Sequence, residues 1–216
     1  VQSNGTLRAG TIQIPGDISS AAFLIAAALV IPNSDITLCN IGVNPRRTGI
    51  IEAFQLMGGR IELENVRIQS GEKVADIRVQ SSTLLGIDLP ERLVPDMIDE
   101  CPIFFVVAAL ASGTTHANGL AELRVKESDR IASMVKGLKL MGANISDQDD
   151  SVLIQGGELH AAEIQSFEDH RIAMSFAVAA QCVDGVTSID DCANVATSFP
   201  GFVELAQSAG MKLNLA

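Results

Sequence analysis

From Asp17 to Gly58, from Asp99 to Gly142 and from Asp169 to Gly210, the chain runs through one succession of residue types, over spans of 41, 43 and 41 positions. Such near-equal spacing marks an internal repeat and constrains the fold more than any single motif. Each copy begins at an aspartate, enters an apolar helix, passes through a strand and closes with a second helix before the glycine. The first copy places these elements at 21–29, 35–40 and 47–57. The second places them at 103–110, near Thr115 and at 128–141, and the third at 172–180, 186–189 and 199–208.

The second helix of each copy carries a stripe at helical spacing: Ile50, Phe54 and Met57; Ile131, Met134, Val135 and Leu138; Phe199, Phe202, Val203 and Ala206. Gly58, Gly142 and Gly210 suit left-handed helix ends, each leading into a strand-like segment at 60–63, 144–145 or 212–213. Alternation at 77–80 and 151–155 adds further strands. The unit is therefore β-α-β-α-β-β, three times over, in an α/β fold with pseudo-threefold symmetry. The copies occupy about 10–82, 83–158 and 159–216. No linker or low-complexity tract divides them, so residues 1–216 are expected to form a single lobe with a shared core.

That core is aliphatic, because 47% of residues are hydrophobic while Phe occurs eight times and Trp and Tyr never. The shortage of aromatic platforms argues against base stacking. A formal charge of -11 argues against nucleic acid and anionic membranes as partners. The longest apolar run, 21–31, ends at Pro32, well short of the ~20 residues a bilayer requires. Val1 opens the chain with no basic segment before an apolar stretch, which reads as an excised piece without a signal peptide. Cys39, Cys101, Cys182 and Cys192 form no Cys-x-x-Cys pair, and His116, His160 and His170 lack ligand spacing. Reduced thiols, a cytoplasmic location and no metal are the expectations.

In a globally acidic chain an anion must meet a local basic cluster. Threefold packing would gather equivalent helix N-termini at one end, where free N–H groups attract anions. Near those starts lie Asn44-Pro45-Arg46-Arg47, the run Arg124 to Arg130, and Glu168-Asp169-His170-Arg171. Counting back from the terminal glycines aligns Arg46 with Arg130. Taken singly these residues are ordinary: a charged first turn is usually solvated, and Asp17, Asp99 and Asp169 would each serve as a helix N-cap. Together, Arg130, Arg171 and His170 supply positive charge beside the carboxylates of Glu127 and Asp99. Guanidinium forks suit phosphate and carboxylate, and a carboxylate among cations can be tuned for proton transfer. No Ser-His-Asp pattern and no P-loop accompanies them.

Gly16-Asp17-Ile18-Ser19-Ser20-Ala21-Ala22, Ile98-Asp99-Glu100, Leu123-Arg124-Val125-Lys126-Glu127-Ser128-Asp129-Arg130-Ile131, Asp169-His170-Arg171-Ile172-Ala173-Met174 and Ser198-Phe199-Pro200 resemble, in order, the signatures of the 5-enolpyruvylshikimate-3-phosphate synthase family. The resemblance spans essentially the whole chain, as that family's C-terminal half. It implies one of the two lobes of the enolpyruvyl transferase fold, each lobe built from three β-α-β-α-β-β units. It also implies transfer of enolpyruvyl from phosphoenolpyruvate to the 5-hydroxyl of shikimate 3-phosphate, with release of phosphate and no metal or organic cofactor.

By the same resemblance, Asp99 would contact the shikimate hydroxyls and help deprotonate the 5-hydroxyl. Glu127 would move a proton to and from the methylene of phosphoenolpyruvate, and Lys126 would sit near both substrates. Arg130, His170 and Arg171 would hold the phosphate and carboxylate of phosphoenolpyruvate. Thr197 stands where many members place a lysine, as in one subgroup. The partner implied is an N-terminal lobe absent from this sequence, without which the chain would be inactive. Two alternatives are a non-catalytic anion-binding or scaffold domain, and a relative of the enzyme that transfers enolpyruvate to UDP-N-acetylglucosamine, which lacks the Lys-Glu-Ser-Asp-Arg and Asp-His-Arg motifs.

Overall fold

The computed structural model describes residues 9–215; Val1, and with it the reading of the chain's start, lies outside the described residues. The first unit comprises α1 (Ile18–Val30), β1 (Asp35–Gly42), α2 (Gly49–Leu56), β2 (Arg60–Gln69) and β3 (Glu72–Gln80). The second follows the same order with α3 (Cys101–Leu110), β4 (Thr114–Ala117), α4 (Arg130–Leu140), β5 (Asn144–Gln148) and β6 (Ser151–Gln155). The third holds β7 (Glu163–Gln165), α5 (His170–Ala179), β8 (Ser188–Asp190), α6 (Ala193–Ser198) and α7 (Phe202–Ser208).

The two complete sheets are antiparallel with identical topology, β1-β3-β2 and β4-β6-β5. Their registers match as well: Gln80 lies opposite both Asp35 and Arg60, and Gln155 opposite both Thr114 and Asn144. The leading β-α-β crossover appears in all three units as a parallel pairing around the apolar helix. Gly16 bridges Ile41, Leu85 and Asp88 bridge Ser112 and His116, and β7 pairs with β8.

The helix ends repeat at the level of individual hydrogen bonds. Gly58, Gly142 and Gly210 have φ of 92°, 89° and 96°. In each case the next residue donates its N–H five residues back: Gly59 to Phe54 at 2.8 Å, Ala143 to Leu138 at 2.9 Å and Met211 to Ala206 at 3.0 Å. Three such left-handed terminations satisfy the last carbonyls and turn the chain abruptly.

The helices α1, α3 and α5 pack on one another inside a single core to which every unit contributes. Their composition explains this, since α1 and α3 are apolar on all faces and α5 nearly so, leaving no side for water. The stripe residues of α2 and α4 reach the same core; Ile50, Phe54, Met57, Ile131, Met134 and Leu138 are fully buried.

The third unit departs from expectation twice. Residues 199–208 do not form one helix: α6 stops at Ser198, and α7 begins only after Gly201, whose φ is 81°. Pro200 disfavours helical geometry at Phe199, which takes φ -138° and ψ 72° and packs its ring 5.5 Å from Phe202. Residues 212–213 are likewise not a strand. The Gln181 side-chain amide accepts from the Lys212 N–H at 2.7 Å and donates to its carbonyl at 3.3 Å, satisfying backbone groups that a neighbouring strand would otherwise hold.

Candidate active site

The N-termini of α1, α3, α4 and α5 meet at one end of the fold, and their capping chemistry explains which side chains are free there. Asp17 and Asp169 are N-caps, accepting from the backbone of Ser20 at 3.0 Å and of Arg171 at 2.9 Å. Asp99 is not a cap. It sits in the 3-10 turn Ile98–Glu100, and α3 starts without any side-chain cap. Its carboxylate is therefore free to face Arg130 at 3.2 Å, Lys126 at 3.6 Å and Arg171 at 3.7 Å. Partial burial favours the neutral acid, but the three cations outweigh it and hold Asp99 below the usual carboxylate range.

Arg130 is the hub. It is the first residue of α4, and its side chain is only 1% exposed. Nε donates to Asp169 at 2.8 Å, one terminal nitrogen to Asp99 at 3.2 Å and the other to Glu127 at 2.5 Å. Asp169, also shielded from water, accepts from Ser128 at 3.1 Å. Burial pushes its pKa up, but the Arg130 hydrogen bond and charge prevail and keep it low. Two turns further along, α4 and α5 approach closely where position 137 is glycine: a Cβ there would lie 2.2 Å from the Phe176 ring.

The remaining expected residues surround this hub. Glu127 is more than half exposed and Lys126 also pairs with Glu122 at 2.7 Å. Arg171 donates to the Asp99 carbonyl at 3.0 Å. His170 is half-buried, and burial followed by the Arg171 charge lowers its pKa, favouring the neutral ring near pH 7. His170 and Arg171 line a cavity of about 270 Å³ with Asp17, Ser19, Ser198 and Phe199. Thr197 is exposed on α6, and its neighbours Ser198 and Phe199 are the ones that line this cavity.

Asp99, Lys126, Glu127, Arg130 and Arg171 thus belong to one connected cluster, with His170 beside it. The Arg46 alignment fails: Arg46 is largely exposed, and among the described residues its ion pair is with Asp96, at 3.9 Å. Arg47 takes the analogous place, donating to Asp17 at 3.1 Å and to Ser19 at 2.7 Å. A count from the glycine misses this because α4 begins 12 residues before its glycine and α2 only nine, so position 46 falls in the turn ahead of the helix. The sequence reading also missed Ser19 and the buried Glu100, and weighed Asp169 only as a cap. A usable signal was present for Glu100, an acid immediately preceding the apolar run of α3, which must enter the core.

The EPSP synthase (3-phosphoshikimate 1-carboxyvinyltransferase) family model matches residues 1–205. The chain belongs to the EPSP synthase family. It is 53% identical over 208 residues to the 3-phosphoshikimate 1-carboxyvinyltransferase of Xanthomonas campestris pv. campestris (strain B100), covering 96% of this chain and 48% of that protein. The enzyme of the same name from Acidithiobacillus ferrooxidans is 51% identical, covering 100% of this chain and 50% of its own length. The chain thus spans about half the length of the curated relatives it matches. The structure of EPSP synthase from Acinetobacter baumannii superposes with a TM-score of 0.97 at 45% identity, over 99% of this chain and 50% of that one. The enolpyruvyl transferase NikO from Streptomyces tendae, 14% identical with a TM-score of 0.66, shares the fold alone, over 90% of this chain and 43% of its own. The architecture is accordingly that of an enolpyruvyl transferase lobe.

Proposed function

We propose that this chain is the C-terminal lobe of a cytoplasmic 3-phosphoshikimate 1-carboxyvinyltransferase, with three repeats at about 10–82, 83–158 and 159–216, acting with a complementary lobe. The observation that carries this reading is the Arg130 hub. One buried guanidinium binds Asp99, Glu127 and Asp169, so a proton-moving carboxylate and a hydroxyl-facing carboxylate are held in fixed relation beside Arg171 and Lys126.

Phosphoenolpyruvate and shikimate 3-phosphate are both strongly anionic, and Lys126 and Arg171 would receive their charge, because Arg130 is buried and already committed to three carboxylates. When Lys126 turns toward the substrate anions and Arg171 shares its charge with them from its fixed pose, Asp99 is stabilised less by both cations and becomes a better base. Glu127 delivers a proton to the methylene carbon while the 5-hydroxyl oxygen bonds to the adjacent carbon and Asp99 takes the hydroxyl proton. The resulting tetrahedral species then breaks its carbon–oxygen bond to phosphate. Glu127 recovers a proton from the new methyl group, and the leaving phosphate takes the proton from Asp99. Positioning and charge stabilisation carry most of such a reaction.

The experiment is phosphate release from phosphoenolpyruvate in the presence of shikimate 3-phosphate, for this chain alone and joined to the complementary half of the Xanthomonas campestris relative. Turnover is expected only from the joined protein. Turnover by the chain alone, or none from a well-folded joined protein, overturns the reading.

A further inference from the structure

Glu100 lies one residue from the site yet points away from water, with only 4% of its surface exposed. It precedes α3 and does not cap it. Its carboxylate accepts from Arg171 at 3.4 Å, and Ser19 lines the same recess. Ser19 is itself held, because its oxygen accepts from Arg47 at 2.7 Å, and Arg47 also donates to the α1 cap Asp17 at 3.1 Å. The first unit thus walls the recess beside Glu100 of the second, and Glu100 in turn meets Arg171 of the third.

Arg171 is fixed on one side by Glu100. The nitrogen that meets Glu100 also donates to the Asp99 carbonyl at 3.0 Å, while the other terminal nitrogen lies 3.7 Å from the Asp99 carboxylate. The same side chain lines the cavity shared with His170 and Ser198. A long, rotamer-rich arginine is thereby held in one pose before any ligand arrives, which lowers the ordering cost of binding an anion. Burial pushes the Glu100 carboxyl above its usual range, and Arg171 only partly offsets this. An acid at such a position adds little to stability compared with an apolar residue of similar size, so its use lies in what it orients.

We propose that Glu100 is a positioning residue that sets the Arg171 guanidinium for the carboxylate or phosphate of phosphoenolpyruvate. The proposal rests on the function proposed above and assigns Glu100 no contact with substrate.

The test is a double-mutant cycle in the joined protein, with Glu100→Gln and Arg171→Lys separately and together. Removing a charge-assisted contact should raise KM for phosphoenolpyruvate roughly tenfold in Glu100→Gln, with KM for shikimate 3-phosphate nearly unchanged. In the Arg171→Lys background the Glu100 substitution should add less than about twofold, because the two act as a unit. An unchanged KM for phosphoenolpyruvate, equal rises for both substrates, or full additivity overturns the proposal. If Glu100→Gln does not fold, Glu100→Asp, which shortens the reach to Arg171, is read in the same way. If the joined protein does not turn over, the function reading fails while the positioning is still decided by the Arg171 Nε–H resonance of the chain alone: a shift in Glu100→Gln or Glu100→Asp supports it, and an unmoved resonance overturns it.

Discussion

The Nε of Arg130 and the carboxylate of Asp169 meet at 2.8 Å across the gap between α4 and α5, with 1% and 0% of the two side chains exposed. This ion pair joins the second unit to the third, and the glutamate and aspartate of the site hang from its guanidinium.

Breaking the pair from one side leaves the other charge buried without a partner. Asp169→Ala should therefore destabilise the chain by about 3–5 kcal/mol, far beyond the ~1 kcal/mol expected for loss of the α5 cap alone. Urea denaturation of the chain decides between them. A loss near the capping value would mean that Arg130 finds adequate solvation elsewhere.

Acid should unfold the protein largely through the same group. Asp169 and Asp99 have pKa values lowered below the usual carboxylate range, so their contribution is present above that range and is lost as pH falls through it. Glu100, raised by burial, works the other way: its contribution is complete at low pH and declines as pH rises through its folded-state pKa. Stability should consequently fall steeply below about pH 4, and the fall should be shallower in Asp169→Asn. Denaturant midpoints across the acid range, with identical slopes in both proteins, would contradict this assignment.

Glu127→Gln keeps the shape of the side chain next to Arg130 and removes its proton chemistry. In the joined protein turnover should drop by ~10²- to 10⁴-fold while KM values change little. Steady-state kinetics with both substrates is the measurement, and a near-normal kcat would return Glu127 to the role of an exposed acid ahead of α4.

Gly137→Ala tests the packing beneath the site. The added methyl meets the Phe176 ring, so α4 and α5 must separate or the ring must leave its rotamer, at a cost of about 1–3 kcal/mol. If thermal denaturation shows instead the modest gain usual for Gly→Ala in an exposed helix, the close approach of the two helices is not needed.

Much of the architecture was legible along the chain because its signals are local. Helical stripes, strand alternation and the glycines at 58, 142 and 210 each depend on a few neighbouring residues, and repetition at fixed spacing reinforced them. Local chemistry also explains where the reading failed in the third unit: Pro200 and Gly201 interrupt a stripe that otherwise has helical period. The residues at the N-terminal ends of α4 and α5 stood out by charge and by resemblance to a family.

Their partners did not stand out, because partnership depends on distances between segments far apart in sequence. Arg130 is separated from Asp169 by 39 positions and Arg171 from Glu100 by 71. Composition could mark these side chains as ionisable but not as buried. Tertiary packing decided that Asp169 would neutralise an arginine as well as cap a helix, and that Asp99 would leave its helix uncapped to face three cations. It also decided that Arg47 rather than Arg46 would reach Asp17 and Ser19 at the start of α1. Burial makes those choices, since an ion removed from water must find its counter-ion within a few ångströms, wherever along the chain that counter-ion lies.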